Sequence, residues 1–357
     1  VKTSLPRSLS IVLLLLLGSA GWLKGQDIHF SQFSNAPLNL NPALAGVFGG
    51  DARFVGNYRS QWRSIPVPYQ TFSVSAEGKL YFQKGKYDRY LTGSLLLNSD
   101  KQGTLHLQST QVGLPVSLTL PVGKRNFLTF GATPAFGQRR FDTDKLTFDA
   151  QWTGRFFDPG ASINESQVLE NTNLKYFDLS AGVNFRMQGG TKRNRLDIGY
   201  AVHHLNRPKQ DFWSSSLTNP GNVRLYNKTT VYLNTLFQVS LNMDVILNGL
   251  YQHQGSYEEI VYGAGFRFHL NQKPYKELAV QIGADRRHRY NDAIIPHVEV
   301  LYRTWTLGFT YDMNINPFGA DPDVKLVTNR RGGPELALIY RFHKPKPLPV
   351  FQSCPII

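Results

Sequence analysis

Alternation of apolar and polar side chains at period two runs through long segments of this chain, and it constrains the fold more than any other feature. Phe72, Val74 and Ala76 alternate with Thr71, Ser73 and Ser75. Leu128, Phe130 and Ala132 alternate with Thr129 and Gly131, and Phe177, Leu179, Ala181 and Val183 with Asp178, Ser180 and Gly182. Trp305, Leu307 and Phe309 alternate with Thr306, Gly308 and Thr310. Successive strand residues point to opposite faces, so such segments read as half-buried strands. Fourteen are expected, at 52–60, 69–83, 89–99, 104–120, 125–140, 174–187, 195–206, 225–240, 242–254, 260–271, 275–287, 293–303, 304–315 and 333–343.

This pattern fits either a soluble sandwich, apolar side in, or a membrane barrel, apolar side out. Strand length and loop order favour the barrel. Many segments run about nine to fifteen residues, longer than a usual globular strand and adequate for a tilted membrane strand. Even-numbered connections are mostly tight, as at 121–124, 188–191, 242–243 and 271–274, whereas the long ones at 141–173, 207–224 and 316–332 are all odd-numbered. Short periplasmic turns and long outer loops sort in this way. Lipid cannot hydrogen-bond an open sheet edge, so the sheet has to close. The expected fold is all-β, a transmembrane antiparallel barrel of about fourteen strands with both termini in the periplasm.

Residues 1–25 resemble a secretory signal: Lys2 and Arg7 precede the apolar run 11–17, and small residues 18–20 follow. Cleavage after Gly25 exposes Gln26; cleavage after Ala20 is the alternative. The expected organisation is a signal peptide at 1–25, a periplasmic arm at 26–50, the barrel at 51–343 and a Pro-rich basic tail at 344–357 in the periplasm. The 357-residue chain carries a formal charge of +14, and losing Lys2, Arg7 and Lys24 leaves +11. An exported chain this basic suits acidic partners, such as lipopolysaccharide phosphates or an acidic protein surface, rather than nucleic acid. Its single cysteine, Cys354, allows no internal disulfide.

Short motifs punctuate the strands. Gln26-Asp27 with Phe30-Ser31-Gln32 is followed by Asn41, Pro42, Ala43 and Gly46. Arg59, Gln61, Trp62, Pro68 and Thr71 come next, then Asp100 and Gly103 in a hairpin, Tyr311-Asp312 late in the chain, Glu335 opening the last strand, and Cys354-Pro355. In this order they resemble the PorP/SprF family, outer-membrane proteins of the type IX secretion system in Bacteroidetes. Pro334 stands where the family's element before the last strand has a His, and Phe309 where its late strand has a Tyr.

That resemblance implies a barrel that supports secretion and surface anchoring of a partner protein, such as an adhesin. Capture of the partner's C-terminal domain is the implied step, with other type IX secretion components as further partners. A porin-like or hydrophobic-substrate transport channel is the alternative, and an open or a filled lumen separates the two.

Other chemistry is thinly represented. His203-His204 would place one imidazole inside and one outside if both lie in a strand. Asp321-Pro-Asp323 lacks the full oxygen set for calcium. Gly263-Ala-Gly265 has no helix after it to cradle a phosphate. No hydrolase or metalloprotease motif occurs, so no catalytic residue, cofactor or metal is assigned and the chain is not read as an enzyme. Arg286, Arg287 and Arg289, with Arg330 and Arg331, are the expected basic contacts for lipopolysaccharide or a partner, in solvated outer loops. Trp62 is read as an interfacial anchor or as a dock for the N-terminal arm or a partner, and Cys354 as a spare thiol or a docking or acylation site.

Overall fold

The strands form where β-branched and aromatic residues alternate with small or polar ones, and they stop where Gly, Pro or Asn accumulates. The computed structural model describes residues 27–61, 69–82, 89–103, 107–141, 151–158, 160, 172–190, 192–210, 223–273, 275–288, 293–315 and 331–343. Its strands are β1 (Ala52–Gln61), β2 (Tyr69–Tyr81), β3 (Tyr90–Gln102), β4 (Leu107–Gly113), β5 (Val116–Pro121), β6 (Asn126–Arg140), β7 (Asn173–Gln188) and β8 (Arg195–His203). They continue as β9 (Lys228–Gln238), β10 (Met243–Gln254), β11 (Tyr257–Asn271), β12 (Leu278–His288), β13 (Ala293–Tyr302), β14 (Trp305–Asn314) and β15 (Arg331–Phe342).

Apart from β4 and β5, each strand pairs antiparallel with its sequence neighbours, and β1 pairs with β15 from Ala52 opposite Phe342 to Arg59 opposite Glu335. The ring is therefore closed. Strands β4 and β5 are two halves of one stave, since both pair with β3 and with β6. The break falls at Leu114-Pro115, because Pro115 has no N–H to give the ladder. Leu114 N–H still reaches the Pro134 carbonyl, at 2.9 Å. Counted as staves, the barrel has fourteen, as the alternation predicts.

The two faces are inverted relative to a soluble sandwich. Phe130 is 49% exposed and Leu307 52%, together with Phe54, Phe72, Ile198 and Phe309 on the outer surface. Inside, Asn57, Ser73, Glu77, Asn184, Asp312 and Glu335 are buried. Trp305 packs on Tyr340 at 4.5 Å between ring centroids, next to Phe54, on the outer face at the tight-turn end. Such rings suit the membrane–water interface.

Residues 27–50 differ from expectation. Instead of an arm in the periplasm, they lie inside the ring. The segment bonds to side chains or carbonyls of β2, β5, β7, β8, β10, β13 and β15. Only a segment on the barrel axis can touch walls on every side. Its first described residue, Asp27, sits at the long-connection end, beside Gln254 at the end of β10, and residues near Phe48 sit at the tight-turn end, beside Lys79. The described chain therefore runs through the lumen from the long-connection end to the tight-turn end. The cause is chemical complementarity between its unpaired backbone groups and the charged inner wall.

Candidate functional site

The lumen segment cannot be one regular element. Pro37 and Pro42 can begin a helix but not lie within one, and the chain makes three short turns, Phe33–Asn35, Pro37–Leu40 and Pro42–Leu44. Such a segment leaves many backbone donors and acceptors unpaired, and the wall satisfies them.

At the long-connection end, Glu335 accepts from the backbone N–H of Ser31 (2.8 Å) and Gln32 (3.2 Å). Asp312 binds Arg59 at 2.7 Å and Arg287 at 3.0 Å, and Arg287 also pairs with Glu259 at 2.7 Å. Arg287 donates to Ser31 Oγ at 3.0 Å, and Arg59 donates to the His29 carbonyl. The network spans β1, β11, β12, β14, β15 and the lumen segment 27–50, which plugs the ring.

His204 forms a second clamp at this end. Its Nδ1 lies 2.9 Å from both Asp178 oxygens, and its Nε2 contacts Asp27. Burial disfavours its charged form, but Asp27 and Asp178 outweigh that and raise its pKa to about 9. Burial likewise opposes the charge on Asp27, yet His204, with Lys228 and Arg139, holds that carboxyl below its ordinary range.

Midway, Asn41 is fully buried. Its Oδ1 accepts from Ala43 N–H (2.8 Å), and its Nδ2 donates to the carbonyls of Val183 (3.0 Å) and Tyr200 (3.3 Å). This approach requires a bare wall. A Cβ at Gly182 would collide with the Asn41 side chain, and one at Gly131 with the Pro42 carbonyl. Phe33, Leu40, Leu44 and Val47 pack on Tyr232, Leu250 and Val261 of the wall. A cavity of about 20 Å³ remains beside Ile28, His29, Phe33, Leu40 and Lys228, room for about one water molecule.

Towards the tight-turn end, Gly46 at φ 74° donates its N–H to Glu77 (3.0 Å) and accepts from the Tyr90 hydroxyl (3.1 Å). Arg53 pairs with Glu77 at 2.6 Å and donates to the Leu44 carbonyl. Lys79 donates to the Phe48 carbonyl and lies over the Phe48 ring.

Many residues singled out in the sequence thus meet. Asn41, Pro42, Ala43 and Gly46 belong to the plug, and Arg59, Asp312 and Glu335 to the wall that grips it. Thr71 donates to Asp100 at 2.6 Å on the inner wall, Gly103 turns the chain at φ 73° after β3, and Gln61 ends β1. Tyr311 alternates to the outer face and takes no part.

Arg287 corrects an expectation: it lies in β12 with its side chain buried in the lumen, not in a solvated loop. Arg286, its neighbour, is half-buried. His204 corrects another, because β8 ends at His203 and a φ of 59° turns His204 inward as well. Strand alternation does not apply past the strand end. Trp62, Pro68, Arg289, Arg330, Asp321-Pro-Asp323 and Cys354 lie outside the described residues, as does the Arg331 side chain. Sequence reasoning missed Glu77, Glu259 and Glu299, the last accepting from the Asn35 side chain at 2.9 Å and from Gln32; their only signal is a carboxylate on the inward side of an alternating strand. Among the described residues, no group of three or more His, Cys, Asp or Glu is placed to hold a metal ion.

A closed antiparallel ring with an apolar exterior and a filled polar interior defines a plugged transmembrane β-barrel. Residues 23–325 match the family described as type IX secretion system membrane protein PorP/SprF, and the chain belongs to that family. It is accordingly an outer-membrane barrel of a secretion-system family, which implies other secretion components and secreted cargo as partners. No curated protein matches the chain. Among solved structures, it is similar to the CymD monoaromatic hydrocarbon channel (10% identity, TM-score 0.46, covering 87% of this chain and 93% of that one). A Pseudomonas aeruginosa FadL homologue aligns at 9% identity and TM-score 0.47, covering 85% and 93%. BamA from Haemophilus ducreyi lacking POTRA domains 1–3 aligns at 9% and 0.42, covering 82% and 70%. At these scores the likenesses add nothing to the functional argument.

Proposed function

We propose that this barrel supports secretion and holds a secreted partner, such as an adhesin, at the cell surface by capturing its C-terminal domain, without catalysis. The supporting observation is the filled lumen. Residues 27–50 occupy the axis and are tied to the wall by buried bonds, an arrangement better suited to anchoring than to free diffusion of solutes. In this reading a signal peptide is removed after Gly25, or after Ala20. The basic tail at 344–357 remains on the periplasmic side. Arg286, with Arg289, Arg330 and Arg331, offers cations to lipopolysaccharide phosphates or an acidic partner at the outer rim.

Affinity capture of the tagged barrel from outer membranes, with identification of what co-purifies, tests the reading. A secreted protein recovered by its C-terminal domain is the expected result. Planar-bilayer recording adds an independent check: large stable open-channel currents would favour the transport alternative.

A further inference from the structure

The two ends of the lumen differ in how their cations are paired, and the tight-turn end holds more guanidinium groups than its carboxylates can occupy. Arg195 of β8, Arg267 of β11 and Arg341 of β15 all occupy inward positions. They come from separate parts of the ring, yet Arg195 interacts repulsively with Arg267 and Arg341, and Arg267 with Arg341. Register sets them near one level of the inner wall: the row from Arg195 runs through Leu236 and Ile246 to Gly265, two residues from Arg267, and the row from Arg267 runs through Gln281, Glu299 and Gly308 to Ala337, four residues from Arg341.

Their partners are weak. Arg267 donates twice to Gln281 Oε1, at 3.1 and 2.7 Å, and Arg341 to Thr306 Oγ1 at 3.1 Å. Among the described residues neither has a carboxylate within ion-pair distance; Glu299 attracts both from further off but is engaged by the lumen segment, accepting from Asn35 Nδ2 at 2.9 Å. Arg195 reaches Asp197 at 3.3 Å, but Arg186 already holds both oxygens of that carboxylate, at 2.6 and 3.0 Å. The Arg195 side chain keeps 42% of its surface exposed, against 7% for Arg287 at the other end. Three converging guanidinium groups with spare donors and access to water make a site for an anion with several acceptor oxygens.

We propose that this arginine basin binds the carboxylates of an acidic peptide segment of a partner entering from the periplasmic end. The inference rests on the secretion reading and names the chemistry of the partner segment. A peptide is the fitting occupant because Arg195 keeps 42% of its side chain exposed at the mouth of a narrow ring, which an extended chain can reach end-on. Each guanidinium offers a planar fork that matches a carboxylate.

The test uses purified full-length protein in detergent micelles, titrated with a short fluorescein-labelled Glu/Ser peptide and with its Gln/Ser counterpart. Fluorescence anisotropy is expected to rise with the Glu peptide only and to fall as salt is added. The double substitution R267Q/R341Q is expected to weaken binding by about tenfold or more, since it removes two charge-assisted donor forks, while R140Q, at the exposed long-connection end of β6, leaves it unchanged. If the double variant fails to close its barrel, judged by heat-modified migration, R195Q alone carries the test, with a several-fold loss expected.

Equal binding of the Gln peptide, unchanged binding by the arginine variants, or no binding of the Glu peptide would each overturn the proposal. So would binding of inorganic phosphate alone, which would leave only a small-ion site. Co-purification of a secreted partner with R267Q/R341Q at wild-type yield would leave the proposed function standing and remove this inference.

Discussion

The two ends of the lumen are built from the same residue types and are used differently. At the long-connection end every principal cation meets a carboxylate or a plug carbonyl: Arg59 and Arg287 share Asp312, Arg287 also holds Glu259, and His204 sits between Asp27 and Asp178. At the tight-turn end Arg267 and Arg341 rest on neutral side chains. Buried charge is costly to remove from its partner, whereas an underpaired charge near water costs little to lose. One end therefore acts as a lock for the plug, and the other stays available.

Substitutions should separate the ends by magnitude. The largest effect is expected for Arg287→Ala, which strands Glu259 and removes a bond to Ser31. A loss of about 3–5 kcal/mol follows from breaking a buried pair, read as a lowered thermal midpoint of the barrel in detergent. Arg286→Ala, next in sequence but on the other, half-buried face, should cost about 1 kcal/mol or less, the range of a solvent-screened contact. Equal effects would show that Arg287 is not in the lock.

Leu40→Ala, within the apolar contact of plug and wall, should cost about 2–5 kcal/mol. It is expected to expose the plug to protease before the barrel unfolds. Gly131→Val should cost about 1–3 kcal/mol by overpacking against Pro42, with the plug displaced and the ring retained. A conductance increase in either variant would mark plug release.

The His204 clamp gives a pH signature. Its folded pKa of about 9 lies above the ordinary 6.5. Its contribution is therefore complete below the ordinary value and is lost as pH rises through the folded one. Asp27, held below its ordinary range, loses its contribution on acidification instead. The thermal midpoint of the wild type should fall on passing to alkaline pH, and that of His204→Gln should fall less. The smallest effect is expected at the basin: Arg341→Gln should leave the stability read from the thermal midpoint within about 0.5 kcal/mol of wild type, or raise it slightly by relieving repulsion.

Much of the wall is legible residue by residue. The alternation through Phe177, Leu179 and Ala181 locates β7, and the sorting of turns locates the ends of the barrel. Errors cluster where the rule of alternation stops. The segment at 195–206 ends early, at His203, because positive φ at His204 and Arg207 turns the chain. Arg59, Asp312 and Glu335 are recognisable as family marks, but their joint purpose is hidden. Arg59 meets Asp312 across 253 positions, and Ser31 meets Glu335 across 304. No local pattern encodes such a contact.

By itself the sequence determined the strands, their number and which side chains face out, because pleat geometry forces a two-residue period on any half-buried strand. What fills the ring was decided only by tertiary structure. An irregular segment with Pro37 and Pro42 has no period to read, and its place depends on carboxylates, carbonyls and bare glycines that come together only after the sheet has closed.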